Sequence, residues 1–235
     1  MFGSIAGRYD LLNHLFSGNT DTRWRRKVAR TLDDTLKNPR ATVLDVACGT
    51  GDLALALDRQ GTHQNHTGAR IIGVDFCHPM LQIARAKSHK IPFIEGDALR
   101  LPFADDYFDA ATIGFGLRNL ASVSDGLCEL RRILKPGGRL VILEFSKPVI
   151  PGFSQAFNFY FKHILPRIGD TLNGSCGAYM YLSDSVRKFP DQSELARLMR
   201  ASGFDRVSFR NLTGGIAAIH IGKKQEPEVR SQESE

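Results

Sequence analysis

Four short stretches of this chain carry side chains able to do chemistry, each just after an apolar run. The stretch "VLDVACGTGDLA", residues 43–54, holds Asp45 within its apolar run, then Gly49-Thr50-Gly51, then Asp52 at the head of a helical pattern. Asp75 closes a second run, "RIIGVD" (70–75), and Asp97-Ala98 follows a third, "IPFIEG" (91–96). Arg118-Asn119 lie in "FGLRN", after a fourth run, "FDAATIG" (108–114). Residues 49–54 satisfy the loose G-x-G-x-x-A pattern of dinucleotide binders, so a pyrophosphate is the first ligand to weigh.

Charge argues against a pyrophosphate. On the helix N-terminus it would meet both Asp45 and Asp52, and at ~5 Å and an effective dielectric of ~20 each repulsion costs roughly 3 kcal/mol. S-adenosylmethionine presents an α-ammonium and a sulfonium there, with a carboxylate that can still use the helix N–H groups. Gly49 and Gly51 let the backbone come close. Asp52 also suits the helix dipole with no ligand at all. Asp75 can accept hydrogen bonds from both ribose hydroxyls in either cofactor class. Asp97 can accept from an adenine amine while the Ala98 N–H donates to the ring, or Asp97 can simply cap a turn. Taken together, these residues predict S-adenosylmethionine.

The elements that must position them follow from periodicity. Apolar runs at 41–47, 70–75, 91–96, 108–114 and 139–145 alternate with helical patterns such as 78–89 and 121–134, which predicts βαβ units and a parallel sheet covered on both faces. "LKPGGR" (134–139) reads as a helix stop before the fifth strand. Further on, Asp191 with Glu194 resembles a capping box, Leu195, Leu198 and Met199 form an apolar face, and Gly203 is a stop. "FDRVSFRNL" and "GIAAIHIG" then flank "TGG" as a hairpin at the sheet edge. The expected fold is therefore α/β, of the Rossmann-like class I S-adenosylmethionine-dependent methyltransferase type. Its sheet would be seven-stranded and mostly parallel, with an antiparallel C-terminal hairpin and helices on both faces, and not the six-stranded dinucleotide order.

Residues 1–224 form one expected domain, with an N-terminal helical lid (1–40) and a substrate-side insert (146–190); 225–235 read as a disordered tail. In the lid, Phe2, Ile5, Tyr9, Leu12 and Phe16 share one helical face, and Trp24, Val28, Leu32 and Leu36 another. In the insert, Phe153, Phe157, Tyr160, Phe161 and Ile164 make an aromatic stripe, either core or a groove for an apolar tail.

At 235 residues the chain suits one α/β domain, and no apolar run approaches the ~18–20 residues of a membrane span. Arg8 and Asp10 stand where a signal peptide would be apolar. The 4 cysteines are scattered without a C-x-x-C, which points to a reducing, cytoplasmic setting and no zinc site. His63 and His66 sit in a polar loop and are expected to bind no metal. The net charge of +6 is partly concentrated in "RWRRKVAR" (23–30), a solvated helix face or a patch for an anionic surface. No nucleic-acid-binding motif accompanies it. An NAD-linked reductase is the rival enzyme reading, without recognisable hydride-transfer residues to support it.

The chain resembles the ubiquinone/menaquinone C-methyltransferases. The resemblance rests on "AGRYDLLN" (6–13), Trp24, "LDVACGTGDL" (44–53), "LPFADDYFD" (101–109), "FGLRN" (115–119), "LKPGGRL" (134–140), "LEFSKP" (143–148), "LPRIG" (165–169) and "YMYLSDSV" before "FP" (179–190). It implies cofactor contacts at Thr50, Asp75, Asp97 and Ala98. Gly114 departs from a serine and Cys48 from a glycine common in the family, and family members start a few residues further upstream. The implied reaction is C-methylation of a demethylated isoprenoid quinol, demethylmenaquinol to menaquinol, with a benzoquinol on the ubiquinone route as the alternative. No metal is implied. Arg118, permanently charged, would stabilise the quinolate and Asn119 would orient its hydroxyl. Tyr9, Asp10, His14 and Tyr181 are candidates to line the quinol pocket, with Asp10 or His14 as a base. The quinol is the expected partner, with peripheral contact at the inner membrane face and a homodimer as further expectations.

Overall fold

The computed structural model describes residues 20–62, 67–150 and 185–226. Tyr9, Asp10, His14, Tyr181, the face from Phe2 to Phe16, the aromatic stripe and His63 and His66 all lie outside these residues. The described chain runs α1 (Asp21–Thr31), α2 (Asp33–Leu36), β1 (Thr42–Val46), α3 (Asp52–Gly61), β2 (Arg70–Asp75), α4 (His78–Lys87), β3 (Phe93–Glu95) and β4 (Phe108–Gly114). A 3-10 turn (Leu117–Asn119) leads to α5 (Val123–Ile133) and β5 (Leu134–Phe145); α6 (Gln192–Ala201), β6 (Phe204–Leu212) and β7 (Ala217–Lys224) complete it.

The seven strands lie in the order β3-β2-β1-β4-β5-β7-β6. The pairs among β1 to β5 are parallel, and β7 is antiparallel to both β5 and β6. This is the expected sheet. The chain reverses direction across the sheet between β1 and β4, and the crevice beyond their carboxyl ends is where such folds bind ligands.

The sheet is covered on both faces because its strands are apolar on both. On one face Val43, Ile71 and Val141 pack with Trp24, Val28, Leu53, Leu57 and Leu81 from α1, α3 and α4. On the other, Leu44, Ile72 and Ile142 pack with Leu127, Leu130 and Leu195 from α5 and α6. The predicted face Trp24, Val28, Leu32 and Leu36 is buried throughout, although a break at Leu32 divides it between α1 and α2. Trp24 ties this layer to the sheet edge: its indole N–H donates to Thr213 Oγ1 at 3.1 Å, and its ring meets Phe115 and Phe145.

One boundary differs in kind from the sequence reading. "LKPGG" lies inside β5, where Leu134 pairs with Phe108 before the register shifts to Arg139 opposite Ala110. Pro136 lacks an N–H for the ladder and Gly137 takes φ +76, so the segment forms an irregularity in the strand rather than a loop before it. The capping of α6 is as expected, with Asp191 Oδ1 accepting from the Glu194 N–H at 2.9 Å.

Candidate functional site

Ala47, Gly49 and Gly51 all have positive φ, and together they turn the chain sharply from the tip of β1 into α3. At Gly51, φ +83, a Cβ would stand 2.9 Å from the Phe93 ring, so only glycine fits. The turn opens a cleft of about 230 Å³ beyond the carboxyl ends of β1, β2 and β4. Asp45, Gly49, Thr50, Gly51's neighbour Asp52, Asp75, Asp97, Ala98 and Asn119 all line it. Four loops far apart in sequence thus meet where the spacing predicted.

Asp45 is the most constrained of these groups. It is 1 % exposed, and in the sheet it stands between Gly73 on β2 and Thr112 on β4. Thr112 Oγ1 donates to its Oδ1 at 2.7 Å, while Oδ2 has no hydrogen-bond partner among the described residues. Burial pushes its pKa up to about 7, against the weaker pull of the Thr112 hydroxyl, the Ala54 N–H and the Arg25 charge.

Asp75 holds the cleft together. Its Oδ2 accepts from the Gly49 N–H and its Oδ1 from the Cys77 N–H, both at 2.8 Å, so one carboxylate joins the glycine turn to the loop after β2. Burial raises its pKa, opposed by those backbone donors. The Phe76 N–H is a third backbone donor to the same carboxylate. Between the two aspartates, Cys48 is buried; burial first, then the Asp45 and Asp75 charges, push its thiol well up and keep it protonated.

Asp97 caps its turn and also lines the cleft. Its Oδ1 accepts from the Leu99 N–H at 2.9 Å, which caps the turn, yet the residue is exposed and faces the cleft beside Ala98. Gly114 also lines the cleft, and a Cβ there would press on Leu53 Cδ2 at 3.0 Å. The glycine therefore leaves room for Leu53 where a serine would crowd it.

Two electrostatic expectations need correction. Asp52 does not stand as a bare charge at the helix start: Lys87 pairs with it at 2.8 Å and Arg25 lies 3.7 Å away. Repulsion of a phosphate thus falls mainly on Asp45 and Asp75. Arg118 does not line the cleft. Its guanidinium pairs with Glu144 Oε1 at 2.6 Å, donates to the Phe115 carbonyl at 2.6 Å and lies over the Phe145 ring. The side chains of this ion pair are 3 % and 1 % exposed, so Glu144 offsets the charge expected to serve a quinolate. Asn119, the next residue, lines the cleft, and its Nδ2 is 3.4 Å from the same Phe115 carbonyl.

Sequence reasoning missed three residues. Arg25, placed in a basic stretch, is only 8 % exposed; it pairs with Asp21, lies over Phe115 and lines the cleft. The signal was present, since the helical phase that buries Trp24 and Val28 also turns Arg25 inward, four residues after Asp21. Glu144 was quoted only as part of a motif. Phe76, 61 % exposed at the cleft, directly follows Asp75 and offers a flat apolar surface. Among the described residues no cluster of His, Cys, Asp and Glu could hold a metal, and no helix is long and apolar enough to cross a membrane.

The family model described as the ubiE/COQ5 methyltransferase family matches residues 1–224. Demethylmenaquinone methyltransferase of Deinococcus radiodurans is 48% identical over 229 residues, covering 96% of this chain and 91% of that protein. The Thermus thermophilus enzyme of the same name is 47% identical, covering 95% and 100%. The ubiquinone/menaquinone biosynthesis C-methyltransferase UbiE of a Geobacter species is 43% identical, covering 95% and 94%. Among solved structures, a SAM-dependent methyltransferase of Thermotoga maritima superposes with a TM-score of 0.65 at 19% identity, covering 95% of this chain and 98% of that one. The [4+2]-cyclase SpnF superposes with a TM-score of 0.61 at 19% identity, covering 86% and 81%. At such identities the likeness shows the fold alone.

Two measurements follow from the buried charges. An aspartate whose folded pKa exceeds its unfolded one destabilises the fold as pH rises from the unfolded value to the folded one. Asp45 raised to about 7 from 3.8 therefore costs up to roughly 4 kcal/mol above neutrality. Asp45→Asn should be more stable than the parent in urea melts at about pH 8, and its advantage should fade toward about pH 4. Arg118→Ala should lose about 3–5 kcal/mol by stranding Glu144, and adding Glu144→Gln should restore part of that loss.

Proposed function

This chain belongs to the ubiE/COQ5 methyltransferase family, and from that premise we propose that it methylates a ring carbon of a demethylated isoprenoid quinol, with demethylmenaquinol as the substrate. The relatives named above carry the choice of quinol. The observation that carries the methyl donor is the unpartnered Oδ2 of buried Asp45 in a cleft also lined by Asp75. A positively charged group stabilises such a site and a phosphate does not.

S-adenosylmethionine supplies an electrophilic methyl group on a sulfonium. In this reading Asp45 receives its ammonium, and Arg25 together with the N–H groups at the head of α3 receives its carboxylate. The Asp75 carboxylate takes the ribose hydroxyls. Asp97 and the Ala98 N–H read the adenine edge, while the Phe76 ring covers its face. On the quinol, ionisation of one hydroxyl pushes electron density onto the ortho carbon. That carbon bonds to the methyl group as the carbon–sulfur bond breaks, and loss of the ring proton restores aromaticity.

The protein's part is mainly geometric. Holding carbon and methyl in line is worth up to about 7–11 kcal/mol. Asn119 is positioned to orient the quinol hydroxyl. With its charge offset by Glu144, Arg118 serves by fixing the turn that presents Asn119, and any help to a quinolate comes through its hydrogen bonds. The exposed residues Arg23, Arg26, Lys27 and Arg30 form a basic stripe along α1, with Arg25 turned inward. That stripe suits an anionic bilayer surface, at roughly 1 kcal/mol per residue, where a prenylated quinol resides.

The test incubates the protein with labelled S-adenosylmethionine and, in turn, demethylmenaquinol, the demethylated benzoquinol and each oxidised quinone. Label should appear on the ring carbon of reduced naphthoquinol. Faster labelling of the benzoquinol would reverse the choice of quinol, and thermal protection by NADH without protection by adenosylhomocysteine would overturn the whole reading. Asn119→Ala should lower kcat by about 10²-fold and leave adenosylhomocysteine affinity unchanged.

A further inference from the structure

Asp45 is a buried carboxylate whose nearest fixed partner comes from a strand that contributes no side chain to bind the cofactor in the reading above. Thr112 is fully buried in the middle of β4, a hydroxyl in an otherwise apolar strand interior. The parallel register sets it directly beside Asp45, with Gly73 on the other flank offering no side chain. Its Oγ1 is 2.7 Å from Asp45 Oδ1 and 3.5 Å from the Leu44 carbonyl, so its single proton goes to the carboxylate. A donor held there favours the charged form of Asp45 and also fixes which oxygen is left for a ligand.

We propose that Thr112 is a positioning residue for cofactor uptake: its hydroxyl favours the charged form of Asp45, occupies Oδ1 and leaves Oδ2 as the acceptor for a positively charged group in the cleft. The proposal rests on the reading of the cleft as the S-adenosylmethionine site. Other groups facing Asp45 act in both directions. Arg25 from α1 and the Ala54 N–H from α3 favour its charge, whereas Asp75 from β2 opposes it; Cys48 stays a neutral thiol. Of the groups favouring charge, the Thr112 hydroxyl acts most strongly. Without it, Asp45 would hold its proton to higher pH, and a neutral carboxyl would have little to offer an ammonium.

The test is calorimetric binding of adenosylhomocysteine, which carries the ammonium and carboxylate, from about pH 6 to about pH 8.5. Methylthioadenosine, which lacks both, serves as the control ligand. Thr112→Val keeps the shape and removes the hydroxyl. It should weaken adenosylhomocysteine by about 10- to 100-fold at pH 7, as expected for a lost hydrogen bond to a charged group. The deficit should shrink as pH rises, and methylthioadenosine should bind as it does to the parent. Thr112→Ser should restore the parental pH profile. Thr112→Cys, whose weakly donating thiol occupies the same space, should fall between and supplies the reading if the valine variant does not fold. Equal losses for both ligands at every pH, or no loss for adenosylhomocysteine, would overturn the role of Thr112. A parent protein that binds methylthioadenosine but shows no preference for adenosylhomocysteine would overturn it too. Failure of the parent to bind either ligand would instead bring down the cofactor reading on which the proposal rests.

Discussion

A buried carboxylate with no ion-pair partner among the described residues is the constraint around which this cleft is arranged. Asp45 stands in the sheet beside Gly73, which brings it no side chain, and Thr112 supplies a side-chain hydrogen bond. A fold selected for stability alone would fill the position with an aliphatic side chain. Its presence puts a negative charge at the tip of β1 that a positively charged group would relieve. Three positive-φ residues, Ala47, Gly49 and Gly51, turn the chain there into the start of α3, so the carboxylate and the helix N-terminus share one cleft. Net charge does not decide this, since the chain as a whole is basic and its cleft is acidic.

Charges elsewhere around the cleft are arranged so as not to compete. Asp52 is occupied by Lys87 and approached by Arg25, and Arg25 is itself paired with Asp21. Arg118 and Glu144 offset each other below the surface. These pairs contribute shape more than net field. The Arg118–Glu144 pair anchors the turn that carries Asn119, because Glu144 also accepts from the Phe145 N–H at 2.9 Å and the Arg118 guanidinium holds the Phe115 carbonyl. The charged and polar groups left at the cleft are the unpartnered Oδ2 of Asp45, the Asp75 carboxylate and the Asp21-paired guanidinium of Arg25. That set matches an amino acid joined to a nucleoside better than it matches a dinucleotide.

How much of this the sequence disclosed depended on whether the signal was local. Strand and helix alternation is a local pattern, and β2 and β4 begin and end where their apolar runs do. Asp45, Asp75, Asp97 and Asn119 were legible because each lies near or just beyond the carboxyl end of a strand, and strand tips in a parallel sheet converge. Thr112 was not legible: a threonine inside "FDAATIG" is an ordinary strand former, and its meaning appears only once the register sets it beside Asp45. Glu144 and Arg118 were separately visible, yet a separation of 26 positions hid that they neutralise each other. Arg25 was misplaced by composition, since a run rich in arginine reads as one surface although a helix turns one residue in every few inward.

This sheet is shared by a methyltransferase and a cyclase at similar TM-scores, so the fold by itself does not decide the chemistry. A parallel sheet that reverses at β1 and β4 provides a crevice; what enters it depends on the few groups the strand tips present. In the proposed reading the site has to discriminate a cationic donor from the dinucleotides that the same glycine pattern can admit. A buried aspartate does so asymmetrically. It is uncomfortable when ionised and alone, is relieved by an ammonium, and is made worse by a phosphate. The instability that Asp45 brings to the empty protein is thus the same physical term that favours the correct ligand.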